Sequence, residues 1–312
     1  MAASLPVNPD MLEMVTSDEI VVARGIPSAQ SNLKAAFGRR LKAALKKRLP
    51  SELVLAIEKV RNVRWIKVHE PREFDVMRHL LDQGDTVIDI GANMGEYSRS
   101  FSVLVGSGGH VFSIEPVPHT YEILKYVVNK LGLVNTSPIE CAISDVEGVR
   151  RMVIPQDESG GENFYEASLA EGTFEPTWRS VQVKTTTLDS LVSPWTKISF
   201  IKCDVEGHEL NCVKGAFGII RTSHPAWYIE TKDNPDDPTS TSGKLFEAMN
   251  LEGYLPFLFD GTCLHKRRRG ESTINYYFLM QSHIYKLHSR APQLIAGDVF
   301  QDSANGYRGE QL

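Results

Sequence analysis

Several side chains that can exchange a proton follow the largely apolar run 198–201. If this run is a buried strand of an α/β sheet, they lie beyond its carboxyl end, where such sheets bind ligands. A carboxylate or an imidazole there can accept a proton from a hydroxyl group. The candidate catalytic residues are Asp204, Glu206 and His208, and the sequence leaves open which of them is the base. His208 also fits an ordinary histidine at a helix start.

A second group of oxygen ligands follows the next apolar run, with Glu230 and then Asp233 and Asn234. Together with Asp204, Glu230 could supply the hard ligands that Mg²⁺ prefers. A divalent ion would lower the pKa of a bound hydroxyl. No ligand spacing here is diagnostic of a metal. Salt bridging of these carboxylates is the favoured interpretation, and Mg²⁺ is left open.

A glycine-punctuated stretch, T-V-I-D-I-G-A-N-M-G-E-Y-S, spans residues 86–98. A β-branched run precedes Gly91 and Gly95, and apolar residues at helical spacing follow, which predicts a strand, a tight loop and a helix. Glycine lets a ligand approach the backbone closely. Amides at the helix start can face a polar or anionic group. Residues 91–95 are called the glycine loop below.

The glycine loop differs from two nucleotide-binding motifs. In the dinucleotide-binding motif G-x-G-x-x-G, the middle glycine would fall at Asn93. The P-loop is also excluded, because no Gly-Lys-Ser/Thr follows. Asp89 suits a cationic group, such as an aminoacyl ammonium or a sulfonium, better than a pyrophosphate. A second predicted strand, G-H-V-F-S-I-E, ends in Glu115, where a carboxylate can accept hydrogen bonds from ribose hydroxyls. Asp89 and Glu115 together predict an adenosyl ligand.

The remaining periodicity supplies the elements that must hold these side chains. A third strand is predicted over 137–143, and its end is placed to border an adenine. Apolar spacing predicts helices over 51–60 and 71–83, an extended segment over 61–69 and a surface tail beyond Gln281.

The polar segment 155–180 is long for a loop inside a domain, and such loops are often functional. It contains four aromatic residues, Phe164, Tyr165, Phe174 and Trp178. They predict either a lid over an acceptor pocket or a loop that packs on the domain.

The N-terminal part carries a basic amphipathic pattern over residues 33–49. Leucine or phenylalanine recurs at every fourth position, and the intervening charges are all basic. The pattern predicts a helix that packs on the domain or at a dimer interface, and peripheral contact with anionic lipid or an acidic partner is the alternative. A homo-oligomer is therefore left open.

Composition narrows the class of protein. The 312 residues are 42% hydrophobic and 23% charged, which is typical of a soluble globular protein. A net charge of -5 argues against a nucleic-acid partner. Neither a transmembrane helix nor a signal peptide is expected. The four cysteines form no C-x-x-C, which predicts reduced thiols in a cytoplasmic protein.

Several segments together resemble the FkbM family of S-adenosylmethionine-dependent methyltransferases. They are D-I-G-A-N-M-G-E-Y-S, S-I-E-P, A-I-S-D-V-E-G, T-T-L-D-S-L and F-I-K-C-D-V-E-G-H-E-L-N-C-V-K-G-A, and N-Y-Y-F-L fits the family's last strand. The resemblance covers about 71–280. We expect an N-terminal extension over 1–70, a methyltransferase domain over 71–285 and a C-terminal tail over 286–312.

The resemblance implies an α/β fold of the class I methyltransferase (Rossmann-like) type. This fold has a seven-stranded mixed sheet with an antiparallel last strand and helices on both faces. S-adenosylmethionine would be the cofactor, and the reaction would be O-methylation of a hydroxyl on a sugar, glycan or polyketide-like metabolite. The implied cofactor contacts are Asp89, Gly91, Asn93 and Gly95 at the methionine moiety, Glu115 at the ribose, Ala142 and Asp145 near the adenine, and Ser98 as a further contact.

Two other classes stay open. A dehydrogenase or epimerase of the nucleotide-binding type is disfavoured by the missing middle glycine. A non-catalytic scaffold would bind an adenosyl ligand without turnover, because fold alone does not settle function. No N-P-P-Y, D-P-P-Y or Pro-Cys pair is present, which sets aside methylation of exocyclic amines and of cytosine C5.

Overall fold

Runs of β-branched and aromatic residues form two β-sheets. The computed structural model describes residues 49–157, 160–170, 174–296 and 299. Within these residues, the main sheet has the strand order β3-β2-β1-β8-β9-β12-β10-β11 and a smaller sheet has the order β4-β7-β5-β6. The strands are β1 (Thr86–Ile90), β2 (His110–Ile114), β3 (Thr136–Ile139), β4 (Ala142–Ile143), β5 (Gly148–Ile154), β6 (Ser168–Leu169), β7 (Arg179–Thr186), β8 (Phe200–Cys203), β9 (Ala226–Glu230), β10 (Leu255–Phe259), β11 (Leu264–Lys266) and β12 (Asn275–Leu279).

The main sheet is mixed. Strands β3, β2, β1, β8 and β9 run parallel, and β12 lies antiparallel between β9 and β10. This topology confirms the predicted class I methyltransferase fold. The predicted number of seven strands is wrong, because β11 adds an eighth strand among the described residues, with Lys266 opposite Phe257. Asp260 accepts hydrogen bonds from the amides of Thr262 and Cys263, and this tight turn returns the chain to pair with β10.

The predicted third strand, 137–143, is divided between the two sheets. Ile139 ends β3 in the main sheet, whereas Ala142 begins β4, which pairs with β7 in the smaller sheet. Apolar residues suit either sheet equally, so periodicity gives no sign of the transfer. The transfer joins the smaller sheet to the carboxyl edge of the main sheet.

Helices cover both faces of the main sheet. Successive strand residues point to opposite faces, and the neighbours Val87 and Ile88 belong to two different buried clusters that contain helix residues. The helices are α1 (Ser51–Val68), α2 (Phe74–Leu80), α3 (Glu96–Val105), α4 (Pro118–Lys130), α5 (Leu188–Leu191), α6 (Glu209–Lys214), α7 (Phe217–Ser223), α8 (Thr241–Leu251) and α9 (Gln281–Arg290).

Helix α1 continues through the segment 61–69 that was expected to be extended, so that prediction is wrong up to Val68. Glu58, Asn62 and Ile66 recur at every fourth position, and all three are buried. Ile66 belongs to a buried cluster that includes two residues of α4. This packing outweighs the strand preference of the β-branched residues in the segment.

Helix α9 occupies Gln281–Arg290, where a surface tail was expected, so that prediction is wrong for these residues. Ile284 and Leu287 are buried in the core that contains α2. The Lys286 Nζ atom donates to the carbonyl of Leu80, the last residue of α2, at 2.7 Å. Two inward-facing apolar residues are too few to make this helix recognisable from periodicity.

Some predictions concern residues or properties that the structure leaves open. The basic pattern over 33–49 lies outside the described residues, apart from Leu49. None of the described helices combines the length and apolar character needed to cross a membrane. All four cysteines are free thiols, and three of them are buried. The region boundaries at residues 70 and 285 stay predictions.

Candidate functional site

A cavity of about 230 Å³ opens beyond the carboxyl ends of β1, β2 and β8. The glycine loop, α1, the smaller sheet and a short 3-10 helix, Phe164–Glu166, form its walls. The predicted site residues that line it are Gly91, Asn93, Glu115, Ala142, Asp204, Glu206 and His208.

The other predicted cofactor contacts lie behind this wall. Asp89 and Ser98 are fully buried, and the Ser98 hydroxyl donates to Asp89 Oδ2 at 2.6 Å. Gly95 stands at the start of α3, and Asp145 accepts a hydrogen bond from Asn211 Nδ2 at 3.1 Å. Within the described part of the chain, none of these four predicted residues lines the cavity.

Gly91 brings the glycine loop into contact with β8. Its φ of +72° favours glycine, and a Cβ built there would lie 1.8 Å from the backbone oxygen of Asp204. The amides of Gly91 and Ala92 donate to the Ile114 carbonyl at 3.0 and 2.9 Å. The loop is therefore anchored to the ends of both neighbouring strands, β2 and β8.

Lys202 is the buried cation of the site. Its Nζ lies 3.0 Å from the Gly91 carbonyl, 3.3 Å from Asp204 Oδ2 and 3.7 Å from Asp89 Oδ1. Burial alone would lower the pKa of Lys202, but the two carboxylates outweigh it and hold the pKa above its usual value. Burial raises the pKa of Asp89, and Lys202 and the Ser98 hydrogen bond offset part of that rise.

The Glu115 carboxylate joins the glycine loop to the start of α4. Its Oε2 accepts from the Asn93 amide at 2.9 Å, and its Oε1 accepts from the Val117 amide and the Thr120 hydroxyl, each at 2.9 Å. A carboxylate oxygen has two lone pairs, so Oε2 keeps one for a hydroxyl in the cavity. Burial raises the pKa of Glu115 to about 7, and the three donors limit the rise.

Glu115→Gln is expected to remove a pH-dependent part of the folding stability. The pKa is about 7 in the folded chain against a usual 4.5, so protonated Glu115 stabilises the fold fully below pH 4.5. This contribution disappears as the pH rises from 4.5 through 7, with a loss of about 3 kcal/mol. Urea unfolding at several pH values between 4.5 and 8 measures it, with Glu140→Gln, at an exposed site, as control. Equal pH dependence in wild type and Glu115→Gln would contradict the expectation.

Apolar side chains form the end of the cavity beside Glu115. They come mainly from the smaller sheet and the loop that leads to it, and such a surface suits a flat heteroaromatic ring. The lining residues that are buried together here are Val117, Ala142, Met152, Ala167 and Leu169.

Asp204 and Glu230 lie close together at two neighbouring strand ends, with one oxygen of each within 4.8 Å of the other. Strands β8 and β9 are parallel neighbours. Burial and the neighbouring Asp204 raise the pKa of Glu230 to about 8. Burial also acts on Asp204, but its pKa is lowered, chiefly by Lys202. Near neutral pH, Asp204 is therefore the more readily ionised of the two carboxyl groups.

Glu206 completes this acidic cluster from a strained loop. Its φ of +62° is unusual for a residue other than glycine. The Glu209 carboxylate shapes the loop by accepting from the amides of Val205 and Gly207 at 3.3 and 2.9 Å. Burial raises the pKa of Glu206, and the ion pair with Lys232 opposes that rise.

The acidic cluster has the ligand chemistry for a divalent cation. One oxygen each of Asp204, Glu206 and Glu230 lies within 4.8 Å of the others, and Mg²⁺ prefers such ligands. Lys202 and Lys232 already balance part of the cluster's charge. The arrangement therefore accommodates either a cation or an internal network of ion pairs.

His208 lies at the start of α6, where it is buried and lines the cavity. Its Nε2 is 3.0 Å from the hydroxyl of Ser144, which also contacts Asp145 at 3.1 Å. These contacts tie α6 to the end of β4 and give His208 a structural role beside any chemical one.

Helix α1 supplies part of the cavity wall from outside the segments that carry the family resemblance. Asn62, Trp65 and Ile66 line the cavity. The Trp65 ring stacks on His69, with ring centroids 4.4 Å apart, and His69 Nδ1 contacts the Glu96 carboxylate at the start of α3. Helix α1 is therefore packed onto the glycine-loop region.

Two of the four aromatic residues in the segment 155–180 reach the cavity. Phe164 and Tyr165 line it, and Phe164 stacks on His119 of α4, with centroids 4.4 Å apart and rings 10° from parallel. Among the described residues, Phe174 and Trp178 do not line it. The 3-10 turn Phe164–Glu166 is thus the part of the loop placed to cover a ligand.

Sequence analysis missed several lining residues. Lys202 carried a signal, since it is a lone charge inside an apolar strand and stands two positions before Asp204, on the same face. Asn62, Trp65 and Met152 carried none, because they lie outside the motifs and reach the cavity only through packing.

The family model of the methyltransferase FkbM domain matches residues 89–256, just over half of the 312-residue chain. The matched segment contains the glycine loop, Glu115 and the acidic cluster.

Two characterised relatives are similar to parts of the chain. The hexuronic acid methyltransferase AglP of Haloferax volcanii is 29% identical over 178 residues, which cover 54% of this chain and 65% of that protein. The protein-L-isoaspartate O-methyltransferase of Thermosipho melanesiensis is 34% identical over 65 residues, which cover 21% of this chain and 31% of that protein. The chain thus spans less than two thirds of either relative.

Solved structures with a similar fold include a methyltransferase FkbM from Methylobacillus flagellatus, 16% identical, covering 78% of this chain and 60% of that one, with a TM-score of 0.43. Aeropyrum pernix fibrillarin with bound S-adenosyl-L-methionine is 12% identical, covering 64% of this chain and 67% of that one, with a TM-score of 0.38. Because the family model spans more than half of the chain, this chain belongs to the FkbM methyltransferase family.

Proposed function

We propose that this chain transfers the methyl group of S-adenosylmethionine to a hydroxyl oxygen of a sugar or glycan. The observation that carries the proposal is the cavity itself, in which Asp204 beside Lys202 lies at one end and Glu115 with an apolar surface lies at the other. One end suits an adenosyl group, and the other suits removal of a proton.

The chemistry of the lining fits the donor. The apolar end, bordered by Ala142 and Met152, suits an adenine, and the spare lone pair of Glu115 Oε2 suits a ribose hydroxyl. Asn93 Oδ1 is buried without a hydrogen-bond partner among the described residues, and it suits the donor's ammonium. Because the Asn93 amide donates to Glu115 at 2.9 Å, the two residues would hold the methionine part and the ribose next to each other.

When bound, S-adenosylmethionine supplies a methyl group already activated by a sulfonium. The protein must chiefly align the acceptor oxygen with that methyl group and remove the hydroxyl proton. Asp204 is the base in this proposal because Lys202 lowers its pKa, whereas burial raises the pKa of Glu230. Lys202 holds Asp204 from the side of the glycine loop.

A sugar acceptor is supported by the side chains on the open side of the cavity. Trp65 and Tyr165 are both exposed there, and aromatic faces pack well against the C–H groups of a sugar ring. Asn62 and Glu206 offer hydrogen-bonding groups nearby. The name of the relative AglP, a hexuronic acid methyltransferase, also points to a sugar.

Calorimetric titration with S-adenosylhomocysteine, with NAD as control and with and without Mg²⁺, tests the donor site. We expect S-adenosylhomocysteine to bind with micromolar affinity and NAD not to bind. No binding of S-adenosylhomocysteine would contradict the proposal, and NAD binding would favour a dehydrogenase. Heat that depends on Mg²⁺ would assign a metal to the acidic cluster.

Transfer of a tritiated methyl group to neutral hexosides and to hexuronosides tests the acceptor. We expect a product whose label resists mild alkali, because a methyl ether is stable there and a methyl ester is hydrolysed to methanol. Release of the label would place the methyl group on a carboxylate instead. Donor binding without transfer to any of these acceptors would contradict the sugar assignment and favour a non-catalytic role.

Phe164→Ala is expected to weaken S-adenosylhomocysteine binding by about 3- to 10-fold, because a stacked aromatic pair contributes about 0.5 to 1.5 kcal/mol. The loss would follow from release of the turn that stacks on His119 beside the apolar end of the cavity. Trp178→Ala is the matched control, since Trp178 belongs to the same segment and does not line the cavity among the described residues. Equal affinities in the two variants would contradict a lid role for Phe164.

A further inference from the structure

The Lys202 ammonium lies at the centre of the site, between the glycine loop and the acidic cluster. An ammonium has three N–H donors. Three acceptors surround it, which are the Gly91 carbonyl at 3.0 Å, Asp204 at 3.3 Å and Asp89 at 3.7 Å. The Tyr97 ring covers it, with its centroid 5.1 Å from Nζ.

The backbone explains why these groups meet. Strands β1 and β8 are parallel neighbours, and Lys202 is paired with Asp89 in their register. Two residues further along each strand, Gly91 and the Asp204 carbonyl come into close approach. Lys202 therefore spans the point where the glycine loop leaves the sheet.

Balancing the buried charge of Asp89 is one explanation for Lys202, because an unpaired buried carboxylate is costly. The distances assign the ammonium a further task. Its shortest contact is the neutral carbonyl of Gly91, whereas Asp89 Oδ1 lies beyond hydrogen-bond distance. Among the described residues, Asp89 does not line the cavity, but Lys202 does.

We propose that Lys202 is a positioning residue that holds the glycine loop against β8, and that Asp89 supports donor binding through Lys202 rather than by touching the donor. The inference rests on the proposed function, because the glycine loop is where the donor's methionine end would lie. Asp89 is then a counter-charge that orients the ammonium, and Gly91 is the group that the ammonium holds.

The alternative is direct contact between Asp89 and the donor's ammonium. In that case the Lys202 cation competes with the donor for Asp89, and its removal would tighten binding. If Lys202 positions the loop, its removal would weaken binding. The two explanations therefore predict changes of opposite sign for one substitution, Lys202→Met.

The experiment is calorimetric titration of S-adenosylhomocysteine into wild type, Lys202→Met, Lys202→Arg and Asp89→Asn, and into the double variant Asp89→Asn/Lys202→Met. We expect Lys202→Met to weaken binding by at least about 10-fold, and Lys202→Arg to recover most of that loss. The double variant is expected to match Lys202→Met within about 2-fold, because Asp89 acts through Lys202. Lys202→Met binding as tightly as wild type, or more tightly, would overturn the inference.

Folding is checked by thermal unfolding of each variant without ligand. Lys202→Met could fail to fold because Asp89 is left unpaired. In that case the affinity of the double variant, which lacks both buried charges, is compared with the affinity of Asp89→Asn. Weaker binding in the double variant supports the inference, and equal binding overturns it. If the wild type does not bind S-adenosylhomocysteine, the proposed function is contradicted. If the wild type binds and substitution of Lys202 leaves the affinity unchanged, only this inference is contradicted.

Discussion

Gly91→Ala is expected to abolish S-adenosylhomocysteine binding, with a loss of at least about 100-fold in affinity. The added Cβ would lie 1.8 Å from the backbone oxygen of Asp204, and a backbone atom cannot move aside as a flexible side chain can. The glycine loop or the end of β8 must then shift, and both line the cavity. We also expect the free energy of unfolding to fall by about 3 kcal/mol or more, as for other overpacked and strained positions.

Gly132→Ala is the matched control for this substitution. Gly132 has a similar φ of +65°, but a Cβ there would meet no atom within 4 Å. The control therefore carries the conformational strain alone, of about 1 to 2 kcal/mol, without the collision. Calorimetry and urea unfolding of both variants separate the two effects. Equal losses of affinity in Gly91→Ala and Gly132→Ala would show that the close approach to β8 does not matter.

Asp204→Asn is expected to lower the rate of methyl transfer by about 100- to 10,000-fold, the usual contribution of a positioned general base. Asparagine keeps the shape of the side chain but cannot accept the hydroxyl proton. Affinity for S-adenosylhomocysteine should change by no more than about 3-fold, because Lys202 keeps its contact with the Gly91 carbonyl. Single-turnover transfer of a tritiated methyl group at saturating donor measures the rate.

Glu206→Gln and His208→Asn test the two rival bases. Glu206 is in an ion pair with Lys232, and His208 is bonded to Ser144, so each has a structural partner. We expect either substitution to reduce the rate by less than about 10-fold, well below the effect of losing a general base. A larger loss in either variant than in Asp204→Asn would transfer the role of base to that residue.

Local patterns in the sequence predicted the strand, loop and helix of residues 86–98, whereas the class I methyltransferase fold was implied by the resemblance to the FkbM family. The order of a β-branched run, two glycines and a helical repeat specifies a strand, a loop and a helix, because each depends only on neighbouring residues. The runs before Asp204 and up to Glu115 were predicted as strands of an α/β sheet, and parallel strands bring their carboxyl ends to one edge. Glu115 and Asp204 are far apart in the chain, and both line the one cavity described here.

Packing decided which of those residues face the cavity and which lie beneath it. Asp89 was predicted at the ligand, yet its side chain is fully buried and bonded to Ser98, while Lys202 lines the cavity in its place. The same limit applies to the helix α1 and to the division of the third strand, which depend on contacts with α4 and β7. Residue type does not reveal such contacts, because an apolar side chain is equally stable against several partners.

The charge states of the site are likewise a property of the folded chain. Sequence showed Asp204, Glu206 and His208 after β8 and Glu230 at the end of β9, without indicating which of them would be ionised. Adjacent strand ends bring Asp204 close to Glu230 and Lys202. Lys202 lowers the pKa of Asp204 against the effect of burial, whereas burial raises the pKa of Glu230. Local sequence thus specified the elements and the kinds of side chain, whereas pairing in space set their burial and protonation, because both depend on neighbours that are distant in the chain.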